Sequence, residues 1–111
     1  MASLEFLQGT LDLLVLKTLA LGPMHGYAVA RLIRERSDDV FCVEEGALYP
    51  TLHRLERQGW IASEWGLSEN SRKAKFNRLT SKGRAQLQTE VALWHRYTEA
   101  VAGVLRMGDR S

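Results

Sequence analysis

Cysteine is nearly absent from this sequence: Cys42 stands alone, which excludes an intramolecular disulfide framework and any zinc site built from cysteines. Long apolar runs are missing too. The most hydrophobic stretch, residues 11–21, is broken by Asp12 and Lys17. It is too short to cross a bilayer and lacks the basic lead and small-residue cleavage site of a secretory signal. No large excess of charge exists, the formal balance being +2, so attraction for a polyanion must come from where the cations sit rather than from their number. Serine, histidine and aspartate occur without a nucleophile elbow, and no glycine-rich loop has the spacing that cradles a phosphate. His25, His53 and His95 lie in no ligand-spaced cluster, so no metal site is expected. These absences point to a cytoplasmic protein that is not an enzyme, engages no membrane and uses no cofactor.

What is present is enough for one ordinary domain: 111 residues, 45% hydrophobic and 25% charged, with no repeat and no low-complexity tract. Leu7, Leu11, Leu14, Val15, Thr18 and Leu19 fall at helical spacing and predict a first helix over residues 4–21, stopped by Gly22-Pro23. A second, over residues 26–35, places Val29, Leu32 and Ile33 on one face and Arg31, Arg34 and Arg36 largely on another. A third, over residues 45–58, carries Leu48, Leu52 and Leu55 as its buried stripe and ends at Gly59. Residues 60–65 and 74–79 alternate around a flexible tip and read as a two-stranded hairpin. A fourth helix starts at Thr80-Ser81 and runs to about Met107. Its seam of Leu87, Val91, Trp94, Thr98, Val101 and Leu105 suits pairing with another helix, including one from a second chain. The fold class is therefore mainly α with a small β-hairpin: a winged helix-turn-helix domain over residues 1–80, a C-terminal dimerisation helix over 81–107, and a disordered tail over 108–111.

Charge placement says what such a fold would touch. On the third helix the face away from the leucines carries Ala47, Thr51 and Arg54, with Tyr49 and His53 beside it. Small and hydroxyl residues allow close approach to base edges, and arginine forks onto guanine. Pro50 fits only near the first turn, where unpaired amides can meet a phosphate. In the bland alternative, Tyr49 packs on helix two and Arg54 pairs with Glu56 or Glu35. The hairpin favours the nucleic-acid reading: Arg72, Lys73, Lys75 and Arg78 lie within seven residues, opposed only by Glu69.

The residues Gly9-Thr10-Leu11, His25-Gly26-Tyr27, Gly46-Ala47-Leu48-Tyr49-Pro50-Thr51-Leu52, Arg54-Leu55-Glu56, Gly59 and Arg78-Leu79-Thr80 with Gly83 cover nearly the whole chain. In that order they resemble the PadR family of bacterial transcriptional regulators, of the short type with one C-terminal helix. Two departures are Phe76-Asn77, where many members have two tyrosines, and Lys73-Ala74-Lys75 in place of a more arginine-rich run. The resemblance implies a homodimer whose C-terminal helices pack on helix one of the other subunit and whose paired wings bind a pseudo-palindromic double-stranded operator. Most members are repressors, and some respond to small aromatic ligands. The expected DNA contacts are His25, Gly26, Tyr27, Ala47, Tyr49, Pro50, Thr51, Arg54, Arg72, Lys73, Lys75 and Arg78, with Thr51 and Arg54 reading bases. Phe6 and Leu7 join the seam as dimer-interface residues, and Trp94 is either dimer core or one wall of an aromatic ligand site. Trp60 and Trp65 read as hairpin packing and Cys42 as a quiet buried thiol. The alternative reading is a winged-helix protein-interaction module without specific DNA binding.

Overall fold

Three amphipathic helices bury their apolar stripes against one another in a computed structural model that describes residues 9–108. They are α1 (Thr10–Leu19), α2 (Gly26–Arg36) and α3 (Glu45–Arg57). Val15, Leu16 and Leu19 of α1 meet Val29 and Ile33 of α2 and Leu48, Leu52 and Leu55 of α3, all buried. Each such side chain contributes about 1.5–3 kcal/mol on leaving water. Leu16 sits at the centre of this core, while Leu11 and Leu14 are half-buried at its margin. A segment apolar on most sides gives periodicity little to choose between. The expected residues 4–8 of this helix lie outside the described residues, and Leu21, beyond its end, is exposed.

A strand that periodicity could not reveal precedes α2. β1 (Met24–His25) pairs with β3 (Lys73–Leu79), which in turn pairs with β2 (Ile61–Leu67), giving an antiparallel sheet in the order β1-β3-β2. The expected two-stranded hairpin is thus the outer part of a three-stranded sheet. Two residues are too few to show alternation, and β1 exists through its partners: Met24 sits opposite Asn77 and His25 opposite Phe76. Asn77, buried, donates from Nδ2 to the Met24 carbonyl at 3.4 Å. Asn77 therefore has a structural use in holding β1 to β3. The wing is the part of β2 and β3 beyond β1, from Leu67 opposite Lys73 inward, with its turn at residues 68–72.

The end of α3, the base of the wing and α4 (Ser81–Leu105) meet in one joint. Gly59 stops α3 with φ +78°; its amide donates to the Glu56 carbonyl, and that of Trp60 to Leu55, which satisfies the last turn. Thr80 then caps α4: its Oγ1 accepts the Gly83 amide at 3.0 Å and donates to the Gly59 carbonyl at 2.7 Å. The Thr80 amide donates to the Trp60 carbonyl at 3.1 Å, and Lys82 Nζ donates to the Gln58 carbonyl at 2.9 Å. Gly83 is obligatory here, since a Cβ at that position would lie 1.9 Å from the Trp60 carbonyl oxygen.

Past this joint α4 projects from the body, and the molecule extends over 60 × 34 × 21 Å. Leu87 packs on the chain's own core, so it is not available as a purely intermolecular contact. Val91, Trp94 and Thr98 are half-buried, whereas Leu93, Tyr97, Val101, Val104 and Leu105 are exposed. The uncovered apolar residues thus include Val101 and Leu105 of the expected seam and, roughly a quarter turn away at 100° per residue, Leu93, Tyr97 and Val104. Phe6 and Leu7 lie outside the described residues, as do positions 109–111 of the expected tail.

Gly83→Ala is expected to destabilise the fold by about 3 kcal/mol, because the clash is with backbone that cannot rotate away. Thermal or urea unfolding of the variant checks this, and a loss under about 1 kcal/mol would show that the joint is slack.

Candidate nucleic-acid interface

Burial of Leu48, Thr51, Leu52 and Leu55 fixes which side of α3 faces outward. Gly46, Pro50, His53 and Arg57 form the centre of the exposed arc, with Tyr49 and Glu56 on its wing side and Ala47 and Arg54 on its α1 side. Thr51 does not belong to that arc. Its side chain is 4% exposed and its Oγ1 donates to the Ala47 carbonyl at 2.9 Å, so it cannot read bases as expected. The spacing contains the reason: Thr51 follows Leu48 by three and precedes Leu55 by four, which places it inside the leucine stripe.

Arg54 is exposed but engaged. Its Nη2 donates to Asp12 Oδ1 in the first turn of α1, a partner neither Glu35 nor Glu56 had suggested. Pro50 lies in the second turn of α3 rather than the first, since the helix begins at Glu45. The ring removes a donor on the exposed side, where water can serve the Gly46 carbonyl instead. The start of α3 carries Glu44 and Glu45, whose charges oppose a phosphate there.

The cationic surface lies on the wing side. A groove of about 620 Å³ separates β3 from α2 and α3, with His25, Tyr27, Tyr49, His53 and Trp65 as its aromatic lining, Arg31, Lys73 and Lys75 as its cations and Glu56 and Glu69 as its carboxylates. Lys73 Nζ sits 5.2 Å from the centre of the Trp65 ring, a cation–π contact. Trp65 is thus 63% exposed and faces the groove, not the packing position expected of it. Lys75 lies 3.9 Å from Glu56, and Glu56 accepts the Ser63 hydroxyl at 2.8 Å, so one carboxylate of α3 ties down both wing strands. Successive residues of a strand face opposite ways. Arg78 is therefore on the other face of β3 from Lys73 and Lys75 and does not line the groove. Arg72 is exposed in the wing turn, where Ser71 has φ +58°.

The residues 25–27 divide into three roles. His25 caps α2, its Nδ1 accepting the Ala28 amide at 3.3 Å, which places its proton on Nε2. Its ring meets Phe76 edge-on at 5.6 Å. Gly26 is buried, and a Cβ there would lie 3.2 Å from Tyr49 and 3.4 Å from Leu48. The residue lets α3 approach α2 at the floor of the groove. Tyr27 is 70% exposed at the groove. Tyr49 combines both earlier readings, leaning on Gly26 while remaining 44% exposed. Arg31 was missed as a site residue, although its place one turn after Tyr27 on α2 was a usable signal.

The loop before α3, residues 37–44, is held by Arg34, whose Nε donates to Asp39 at 3.0 Å. That hydrogen bond and the nearby carboxylate charge raise the Arg34 pKa further above its ordinary value, so the residue is a permanent cation. Cys42, on this loop, is exposed rather than buried, its Sγ donating to the Asp39 carbonyl at 3.7 Å.

A second concavity, about 360 Å³, lies between α1 and α4. Thr10 and Leu13 face Glu90, Leu93, Trp94 and Tyr97 across it. The Trp94 and Tyr97 rings stack at 6.1 Å with 25° between planes. Thr10 Oγ1 is buried with no hydrogen-bond partner among the described residues.

Comparison with known proteins agrees with this arrangement. The sequence profile of the Transcriptional regulator PadR-like family matches residues 15–89. The chain is 39% identical over 83 residues to the transcriptional regulator Rv3488 of Mycobacterium tuberculosis, covering 75% of this chain and 74% of that protein. A PadR family transcriptional regulator from Eggerthella lenta superposes with a TM-score of 0.76 at 35% identity, over 88% of this chain and 83% of its own. A transcriptional regulator from Clostridium thermocellum gives 0.79 at 26% identity, over 86% and 93%. The chain, with its winged helix-turn-helix and long C-terminal helix, belongs to the PadR-like family of transcriptional regulators.

Proposed function

We propose that this regulator is a homodimeric, sequence-specific DNA-binding repressor acting on a pseudo-palindromic operator. The observation that carries this reading is the groove beside the outward arc of α3, where Lys73, Lys75 and Arg31 stand among five aromatic rings. Cations with interleaved aromatic rings suit a sugar–phosphate strand, and the arc of Gly46, Pro50, His53 and Arg57 would lie along base edges beside it. Tyr27, Tyr49 and Arg72 extend the backbone contacts on either side.

Titrating labelled operator DNA at several salt concentrations tests the reading. Lys73→Gln is expected to weaken binding to every sequence alike and to flatten the plot of log K against log salt by about 0.9. An unchanged slope would place the wing off the DNA.

The dimer rests on the uncovered stripe of α4. Leu93, Tyr97, Val101 and Val104 recur at helical spacing and are 40–64% exposed, a continuous apolar line of the kind a second helix covers. Val101→Glu is expected to yield a monomer by light scattering and to lose operator binding. A variant that stays dimeric would put the interface elsewhere. A complex of mixed composition in the wild type would favour the protein-interaction alternative. Two recognition helices in such a dimer would address half-sites about 34–36 Å apart.

Relief of repression by a small planar aromatic molecule belongs to the same reading, and the α1–α4 cleft supports it. It offers the stacked Trp94 and Tyr97 rings for π contact, beside Thr10, whose Oγ1 has no hydrogen-bond partner among the described residues. A planar aromatic ligand is expected to quench tryptophan fluorescence more in the wild type than in Trp94→Phe. Equal quenching would remove Trp94 from the site.

A further inference from the structure

The ion pair between Asp12 and Arg54 joins α1 to α3 across 42 positions of sequence. It is not a free pair of surface charges: the Asp12 side chain is 20% exposed and that of Arg54 45%. Asp12 stands in the first turn of α1, where the helix dipole favours a negative charge. Arg54 stands on the α1 flank of the outward arc, one residue after His53. An arginine in that place has five donors and, once DNA lies along α3, phosphate oxygens as competing acceptors.

We infer that Asp12 is a positioning residue that holds Arg54 off the DNA. The inference rests on the DNA-binding reading given above. Asp12 masks one cation beside the recognition face, so Arg54 adds nothing to the phosphates neutralised on binding. Each added phosphate contact strengthens binding to all sequences equally and so dilutes discrimination for the operator. Masking Arg54 keeps the helix adjacent to DNA without adding to that sequence-blind term. The other three ion pairs among the described residues lie away from the α1 flank of α3: two within α2 and its loop, and the third between Lys75 and Glu56 on the groove side.

Salt-dependent titration of operator and random DNA with the wild type, Asp12→Asn, Arg54→Gln and the double variant tests the inference. Asp12→Asn is expected to bind random DNA more tightly and to steepen the salt slope by about 0.9, which is roughly a threefold larger loss of affinity between about 50 and 200 mM salt. Arg54→Gln should keep the wild-type slope, and the double variant should return to it. A purely structural role for Asp12 would weaken binding with no change of slope and would overturn the inference. So would a slope shallower by about one unit in Arg54→Gln, which would mean that Arg54 already lies on phosphate. Should Asp12→Asn fail to fold, the Arg54→Gln slope decides alone. A wild type with no salt-dependent DNA binding overturns the DNA-binding reading as well, and that titration tells the two failures apart.

Discussion

The carbonyl of Trp60 is where the structure is fastened together. It accepts the Thr80 amide, lies 3.1 Å from the Thr80 hydroxyl and leaves no room for any side chain at position 83. Through it the last turn of α3, the first residue of β2, the last of β3 and the first turn of α4 share one rigid piece of backbone. Lys82 adds a link to the Gln58 carbonyl. An angular change in α4 is therefore carried into α3 and the wing as a body, because a joint this closely packed has little play of its own. In a dimer built on α4, that rigidity would turn the geometry of one interface into the separation of two DNA-reading heads.

The wing depends on the same fastening, with one further tie. A hairpin alone is marginal in water, and this one is held at its base by Ile61 and Leu79 in the core and along its length by Glu56. Glu56 offsets part of the charge of Lys75, which lowers the groove's potential while fixing its width. The formal charge of +2 is thus a poor guide to the surface a polyanion would meet. Carboxylates at Glu44 and Glu45 sit at the start of α3, whereas the cations and aromatic rings gather where β3 faces α2. Strand geometry separates Arg78 from Lys73 and Lys75, although the three are close in sequence.

The order of the four helices and the hairpin, the leucine stripe of α3 and the start of α4 at Thr80-Ser81 were all legible in the sequence, because each rests on local chemistry. Three things were not. β1 is two residues long and is defined by hydrogen bonds to β3 some fifty positions away. Asp12 and Arg54 are separated by 42 positions, and no local pattern announces a pair at that distance. The Trp65 ring looked like packing because aromatic residues in strands usually are; its exposure follows from the wing reaching past the body that would have covered it. Thr51 is a different case. Its burial was implicit in the spacing to Leu48 and Leu55, but its hydroxyl suggested a polar role, and a hydroxyl that bonds back to its own helix satisfies burial without any partner outside.

α1 has an unusual number of neighbours for ten residues, and this bears on how a signal could cross the molecule. Val15, Leu16 and Leu19 anchor it in the core. Thr10 and Leu13 face the α4 cleft, and Asp12, between them, grips α3 through Arg54. The anchored end cannot move without opening the core at several kcal/mol per side chain, whereas the first turn has Leu11 only half-buried at the core's margin, lines the cleft through Thr10 and is tied to Arg54 through Asp12. A molecule seated against Trp94 would therefore act first on that turn, and the Asp12–Arg54 link is the shortest physical route from there to the face of α3.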